Sequence, residues 1–120
     1  MLFRSHLDDV MEAPTASLPY GKQRLLEIAL AIACEPHVLL LDEPVAGVPE
    51  AERQEILATI AALPRDVTIL LIEHDMDLVF SFADRISVLV NGMLFAEGSP
   101  EEIAGNAGVR AVYLGETADG

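Results

Sequence analysis

An α/β fold is predicted here: a mostly parallel sheet with flanking helices, followed by a carboxyl-terminal β-hairpin. Two apolar runs, Val38–Leu41 and Val67–Ile72, are each succeeded by a helical pattern, the order of a parallel strand-helix-strand unit. Both runs stop on polar residues, Asp42-Glu43 after the first and Glu73-His74-Asp75 after the second. Strands buried on both faces read as continuous apolar runs, and ligands in open α/β sheets sit beyond the strands' carboxyl ends. The third observation is Asn91-Gly92 between two further apolar segments, the preferred two-residue hairpin turn.

The elements follow in order. Leu2 to Met11 predicts a short helix, and Ala13 to Leu18, with Pro14 and Pro19 about it, a linker. From Gly21 the residues Leu25, Ile28, Ala29 and Ile32 recur at helical spacing until Glu35-Pro36 stops them. After the first strand, Pro49 suits a first-turn position and Glu50 and Glu52 favour the positive end of a helix whose inner face is Ile56, Ile60 and Leu63, with Pro64 ending it. After the second strand, Asp75 is placed to cap a helix carrying Met76, Val79, Phe80 and Ala83 inward. The hairpin pairs Ile86–Val90 with Met93–Ala96, and helical patches at Pro100–Ala104, started by Ser99 or Pro100, and near Val109–Leu114 complete the order.

Composition limits the function classes. The 120 residues are enough for one domain, burying roughly 65% of the unfolded surface if compact. Seven basic against twenty acidic residues leave a net charge of −13, and Lys22 is the single lysine. Nucleic acid is disfavoured as a partner, since binding it draws on clustered Lys and Arg. Cys34 stands alone, which rules out an internal disulfide and fits a reducing compartment; in its apolar stretch it reads as a small buried hydrophobe. The mixture of Arg4, His6, Asp8, Asp9 and Glu12 before Ala13 is not a secretory leader, and the longest apolar runs fall far short of the ~20 residues a membrane span requires.

Three sites stand in one order: Leu18-Pro19-Tyr20-Gly21-Lys22-Gln23 opening a helix, Asp42-Glu43 ending a strand, and His74 behind a second strand. Each alone has a plainer account: an ordinary helix start, a pair of solvated acids, a polar boundary histidine. Their order resembles that of the ATP-binding cassette (ABC) ATPases, in which signature loop, Walker B strand, D-loop and switch histidine succeed one another. Within that family the chain looks most like the ATP-binding subunits of branched-chain amino acid importers, on Tyr20-Gly21, on Arg24 to Ala29 and on the ending Val112-Tyr113-Leu114-Gly115. The resemblance runs from about Ala16 to Gly115 and covers the second half of the family's domain. The phosphate loop, Gly-x-x-x-x-Gly-Lys-Ser/Thr, has no match: Gln23 follows Gly21-Lys22 where a hydroxyl is needed, and Ala16 replaces the first glycine. The glutamine loop that normally follows it has no counterpart either.

The resemblance implies a partial P-loop NTPase (ABC cassette) fold, with residues 1–17 a remnant of the helical subdomain, 18–115 the carboxyl-terminal half of the ATP-binding domain, and 116–120 a flexible tail. It implies ATP and Mg2+ as cofactors. Asp42 then holds the metal through its water shell, and Glu43 takes a proton from, or orients, the attacking water. His74 contacts the terminal phosphate, a role suited to a side chain whose charge responds near neutral pH. Leu18, Pro19, Tyr20, Gly21, Lys22 and Gln23 form the signature, where free amides and the helix dipole attract phosphate. That surface meets ATP on a second cassette, so a homo- or heterodimer is implied, together with transmembrane permease subunits and a cytoplasmic, peripheral location at the membrane's inner face.

Two departures matter. Pro19 stands where the family usually has serine, removing a hydroxyl and a backbone donor, and Pro49 stands in the D-loop where Asp or Asn is usual. Lys22, in place of a frequent glutamine, adds charge. The implied protein is an ABC importer ATPase lacking the phosphate loop, inactive alone. Two other readings stay open: a noncatalytic half-cassette that assembles with another chain, and a fragment of the chromosome-maintenance and DNA-repair branch of the superfamily, against which stand the acidity and the lack of heptads before Leu18.

Overall fold

The computed structural model describes residues 7–113, and the chain divides into two compact units, one ending at Ile72 and the other beginning at Glu73. His6, part of the Leu2–Met11 helix, the end of the Val109–Leu114 patch and the tail at 116–120 lie outside the described residues.

The described part of the first unit opens with two 3-10 turns, Asp8–Val10 within the second half of the predicted Leu2–Met11 helix and Thr15–Ser17 within the predicted linker. Helix α1, Tyr20–Ala33, buries Leu25, Ile28 and Ile32 of the predicted face together with Gly21, while Ala29 is half-buried. It ends where Cys34 and Glu35 close it, Glu35 taking a left-handed φ of 51° ahead of Pro36. Cys34 is exposed, a correction to the buried reading; as the C-cap residue it has left the helical register that buries Ile28 and Ile32.

Strand β1, Val38–Asp42, pairs in parallel with β2, Thr68–Ile72, in unbroken register from Val38 against Thr68 to Asp42 against Ile72. Between them runs α2, Glu50–Ala61, with Ile56 and Ile60 buried on its inner face and Leu63 just beyond it. Pro49 is the N-cap of α2 rather than its first helical residue. The helix stops at Ala61, before Pro64. α1 and α2 pack on one another. Thr59, the one buried polar side chain of α2, donates its hydroxyl to the Glu55 carbonyl at 2.8 Å, so its burial costs no unpaired group.

The continuous apolar runs predicted burial on both faces of the strands. On one face Leu39 and Leu41 of β1 are buried, while their β2 partners are less so, Leu71 half-buried and Ile69 exposed. On the other, Val38 and Leu40 of β1 and Leu70 and Ile72 of β2 are exposed, Leu40 at 67%. The expectation of burial on both faces is therefore not met among the described residues, because no described element packs on this second face.

The second unit begins at the end of β2. Helix α3, Met76–Phe82, is capped by Asp75, whose side chain accepts from the Leu78 amide at 3.3 Å. Leu78 is its fully buried residue, while Val79, Phe80 and Ala83 pack partly buried against the core and Met76 is half-buried. Strands β3, Ile86–Val90, and β4, Met93–Gly98, form the hairpin, two residues longer than predicted. Asn91 and Gly92 both have positive φ, 51° and 77°, the pair a type I′ turn demands. A bulge leaves Phe95 unpaired between the pairs Val88–Ala96 and Leu89–Leu94. Helix α4, Pro100–Ala104, starts in a full capping box between Ser99 and Glu102, and α5, Ala107–Tyr113, follows. Ile86, Val88, Ile103 and Val109 make this unit's core.

Candidate functional site

β1 delivers Asp42 to its carboxyl end with the side chain exposed, and the strand geometry stops there. Glu43 has φ of 45°, a left-handed conformation that a residue with a Cβ rarely adopts. Its amide nevertheless donates to the Ile72 carbonyl at 2.9 Å, extending the ladder one step past the last strand pair. Pro44, Val45 and Val48 are buried behind it, and the turn is closed by the Ala46 amide on the Glu43 carbonyl and the Val48 amide on the Val45 carbonyl, both at 3.1 Å. Gly47, at φ of 75°, supplies the left-handed step. Two carboxylates thus stand at a strand end, Asp42 in solvent and Glu43 half-buried on a constrained backbone. Exposed carboxylate oxygen fits a hard divalent cation that keeps most of its water.

The segment 18–23 begins α1. Leu18 is buried and accepts a hydrogen bond from Gln23 Nε2 at 3.0 Å, which ties the approach to the first turn. Pro19, at the N-cap, offers no side-chain cap. The Gly21 amide donates to Glu52 Oε2 of α2 at 3.1 Å. Lys22 Nζ pairs with Asp9 at 3.3 Å and Glu55 at 3.4 Å, its side chain only 14% exposed. Burial opposes the charge on Lys22, but the hydrogen bond to Asp9 and the attraction of Glu55 and Asp9 outweigh it and hold the ammonium above the ordinary lysine range. Gly21 and Lys22 are therefore engaged by carboxylates of this chain. Tyr20 is exposed, with the Arg24 guanidinium 5.2 Å from its ring centre.

In the second unit His74 is exposed, its side chain at 75%. Glu73 before it is 5% exposed, and its Oε1 accepts from the amides of His74 at 3.1 Å and Asp75 at 3.4 Å. Its Oε2 is buried with no hydrogen-bond partner among the described residues. Asp42, Glu43 and residues 18–23 thus belong to the first unit and His74 to the second. What joins them along the chain is β2: Ile72 lies opposite Asp42 by register, and Glu73 and His74 are the next two residues.

Two residues escaped sequence reasoning. Glu73 was visible only as company for His74, and nothing local distinguishes its carboxylate as the one that folds back onto the chain. Glu52 read as a first-turn acid of α2, and its partner Gly21 is 31 residues away.

This fold, with acids at the end of a parallel strand and a glycine-led helix start packed on the following helix, is that of an ATP-binding cassette. Residues 2–46 match the family described as ABC transporter, and residues 94–119 the family described as Branched-chain amino acid ATP-binding cassette transporter. The chain belongs to the ATP-binding cassette family, within its branched-chain amino acid group. It is 44% identical over 113 residues to the high-affinity branched-chain amino acid transport ATP-binding protein BraF of Pseudomonas aeruginosa, an alignment covering 92% of this chain and 44% of BraF. It is 48% identical over 103 residues to LivG, the protein of the same description in Escherichia coli K12, covering 84% and 40%. Among solved structures it is similar to the ADP conformation of MJ1267, an ATP-binding cassette of an ABC transporter, with a TM-score of 0.79 at 29% identity over 93% of this chain and 46% of that one. The chain spans less than half the length of the relatives it matches.

Proposed function

We propose that this chain is the ATP-hydrolysing part, without the phosphate loop, of an ABC importer ATPase for branched-chain amino acids or related solutes. The observation that carries this reading is the carboxyl end of β1, where Asp42 is exposed and Glu43 is held in a left-handed turn by its bond to Ile72, directly before Glu73-His74. Asp42 would hold Mg2+ by oxygen through retained water. A bound Mg-ATP supplies the polarised terminal phosphate. Glu43 accepts a proton from the attacking water at a carboxylate oxygen, and its constrained backbone limits where that oxygen can point. His74 orients the water and the terminal phosphate by imidazole hydrogen bonds. Leu18 to Gln23 faces the nucleotide of a second cassette, homo- or heterodimeric, and transmembrane permease subunits carry the solute and anchor the assembly at the inner face of the membrane. No helix among the described residues is long and apolar enough to cross a bilayer.

Alone, the polypeptide should show no measurable ATPase, because the lysine and amide cradle for the β- and γ-phosphates is not in its sequence. Co-expressed with the amino-terminal segment of a relative that bears the phosphate loop, it should gain turnover that Glu43→Gln and His74→Ala each abolish. Turnover by the assembled pair that survives Glu43→Gln sinks the assignment.

The exposed face of β1 and β2 favours a second reading, a noncatalytic half-cassette that assembles with another chain. A groove of about 190 Å³ lies along β1 at Leu39–Asp42, walled by Arg24, Glu27, Ile28 and Ala31 of α1, and an exposed apolar sheet face favours association with another chain. Size-exclusion chromatography with light scattering decides it: a well-folded monomer at high concentration counts against an assembly module.

A further inference from the structure

We propose that Glu52 is a positioning residue that couples the loop at residues 46–49 to the first turn of α1, so that the two respond as one piece. Three consecutive residues of α1 each touch a different point of the loop and α2. The Tyr20 ring borders the side-chain space of Gly47, where an added Cβ would sit 3.6 Å from Tyr20 Cε1, in van der Waals contact. The Gly21 amide donates to Glu52 Oε2 at 3.1 Å, and Lys22 Nζ lies 3.4 Å from Glu55 Oε2. Glu52 and Glu55 are three apart on α2 and so share a face.

The central contact has a specific physical cause. The second amide of a helix has no partner within the helix and is ordinarily satisfied by the side chain of the N-cap residue. Here the N-cap is Pro19, which has no such side chain, and α1 has no acid in its own first turn. Glu52 supplies the missing acceptor from the neighbouring helix, and a carboxylate there is favoured by the positive end of the α1 dipole. The approach needs a residue without a side chain: a Cβ on Gly21 would lie 2.5 Å from Glu52 Oε2 and 2.8 Å from Glu52 Cβ. Gly21 thus admits the carboxylate of α2, and a shift of the loop that starts α2 is carried to the α1 amide through a hydrogen bond rather than through compressible apolar contact. Reading these segments as D-loop and signature rests on the cassette assignment; the coupling itself rests on the geometry.

Amide hydrogen exchange and amide chemical shifts of the full chain test this. Gly21 should be protected, although second-position helix amides ordinarily exchange freely. Glu52→Met, which keeps the stem and removes the acceptor, should speed Gly21 exchange by about tenfold or more, as loss of a charge-assisted hydrogen bond predicts. It should also move the amide signals of Gly21, Lys22, Ala46, Gly47 and Val48 together. Glu52→Gln, which retains a carbonyl acceptor, should restore both. The proposal is overturned if Gly21 stays protected in Glu52→Met, if the shifts do not reach residues 46–48, or if Glu52→Gln behaves as Glu52→Met. Should Glu52→Met fail to fold, free exchange of Gly21 in the unaltered chain overturns it equally. No nucleotide enters these measurements, so a chain that passes them but never supports ATP turnover loses the cassette function and keeps the coupling.

Discussion

The Glu43 amide donates to the carbonyl of Ile72 at 2.9 Å, one step beyond the last pair of the parallel ladder, while Glu43 itself turns left-handed at φ of 45°. The ladder therefore holds in place the residue that breaks it. A left-handed residue with a Cβ costs on the order of 1–3 kcal/mol and persists where its surroundings over-determine it. Glycine removes that cost. Glu43→Gly should unfold in urea at an equal or higher midpoint, with a gain of up to about 1 kcal/mol, while the assembled cassette loses turnover. A clear loss of stability would show that the Glu43 side chain, rather than the backbone turn, holds this strand end.

Gly21 gives the opposite case. Gly21→Ala should destabilise the chain by about 1–3 kcal/mol, because the new methyl overlaps Glu52 and neither helix can retreat without losing its buried face. Adding Glu52→Ala should recover part of that loss. A denaturant-based double-mutant cycle reads the coupling, and additive effects would place the clash elsewhere.

Each unit has its own core residue to test. Ile56 in the first and Ile103 in the second are 0% and 2% exposed, so either change to alanine should cost about 2–5 kcal/mol by transfer and cavity terms together. Per-residue hydrogen exchange checks where the loss falls: Ile56→Ala should lower protection in α1, β1 and α2, and Ile103→Ala in the hairpin and α4.

The hairpin should carry a small acid-dependent term. The Ser87 hydroxyl donates to Glu97 Oε2 at 2.6 Å and the Arg85 guanidinium pairs with the same carboxylate, which together hold Glu97 below the usual carboxylate range. A carboxyl lowered on folding contributes stability that is present above its unfolded pKa and is lost as pH falls through the lowered folded value. A carboxyl titration followed by NMR should find Glu97 protonating later than an ordinary glutamate as acid is added, and Ser87→Ala should bring it back toward the ordinary range. An unchanged midpoint in Ser87→Ala would remove the hydroxyl as the leading cause.

Ser99 accepts from the Glu102 amide at 3.1 Å while Glu102 Oε1 accepts from the Ser99 amide at 3.3 Å. Ser99→Ala should cost about 1 kcal/mol by thermal or urea unfolding, and Ser99→Asp should cost less.

The devices that act over a few residues were legible along the chain. Asn91-Gly92 specified its turn, Ser99-Pro100 the start of α4, Asp75 its cap, and the spacing of Leu25, Ile28 and Ile32 the inner face of α1, because each depends only on the backbone within about one helical turn or one hairpin. The acids at the end of the first strand and the ABC order of the three sites were legible for the same reason: they are runs of adjacent residues. Tertiary packing decided what depends on partners far away in the chain. It placed Glu52 on Gly21, turned Glu43 against the carbonyl of Ile72, sank Leu78 rather than Met76, and left one face of β1 and β2 in solvent. Periodicity says which residues can share a face, but which face is covered, and which carboxylate fills an empty cap, follows only from where another element comes to lie.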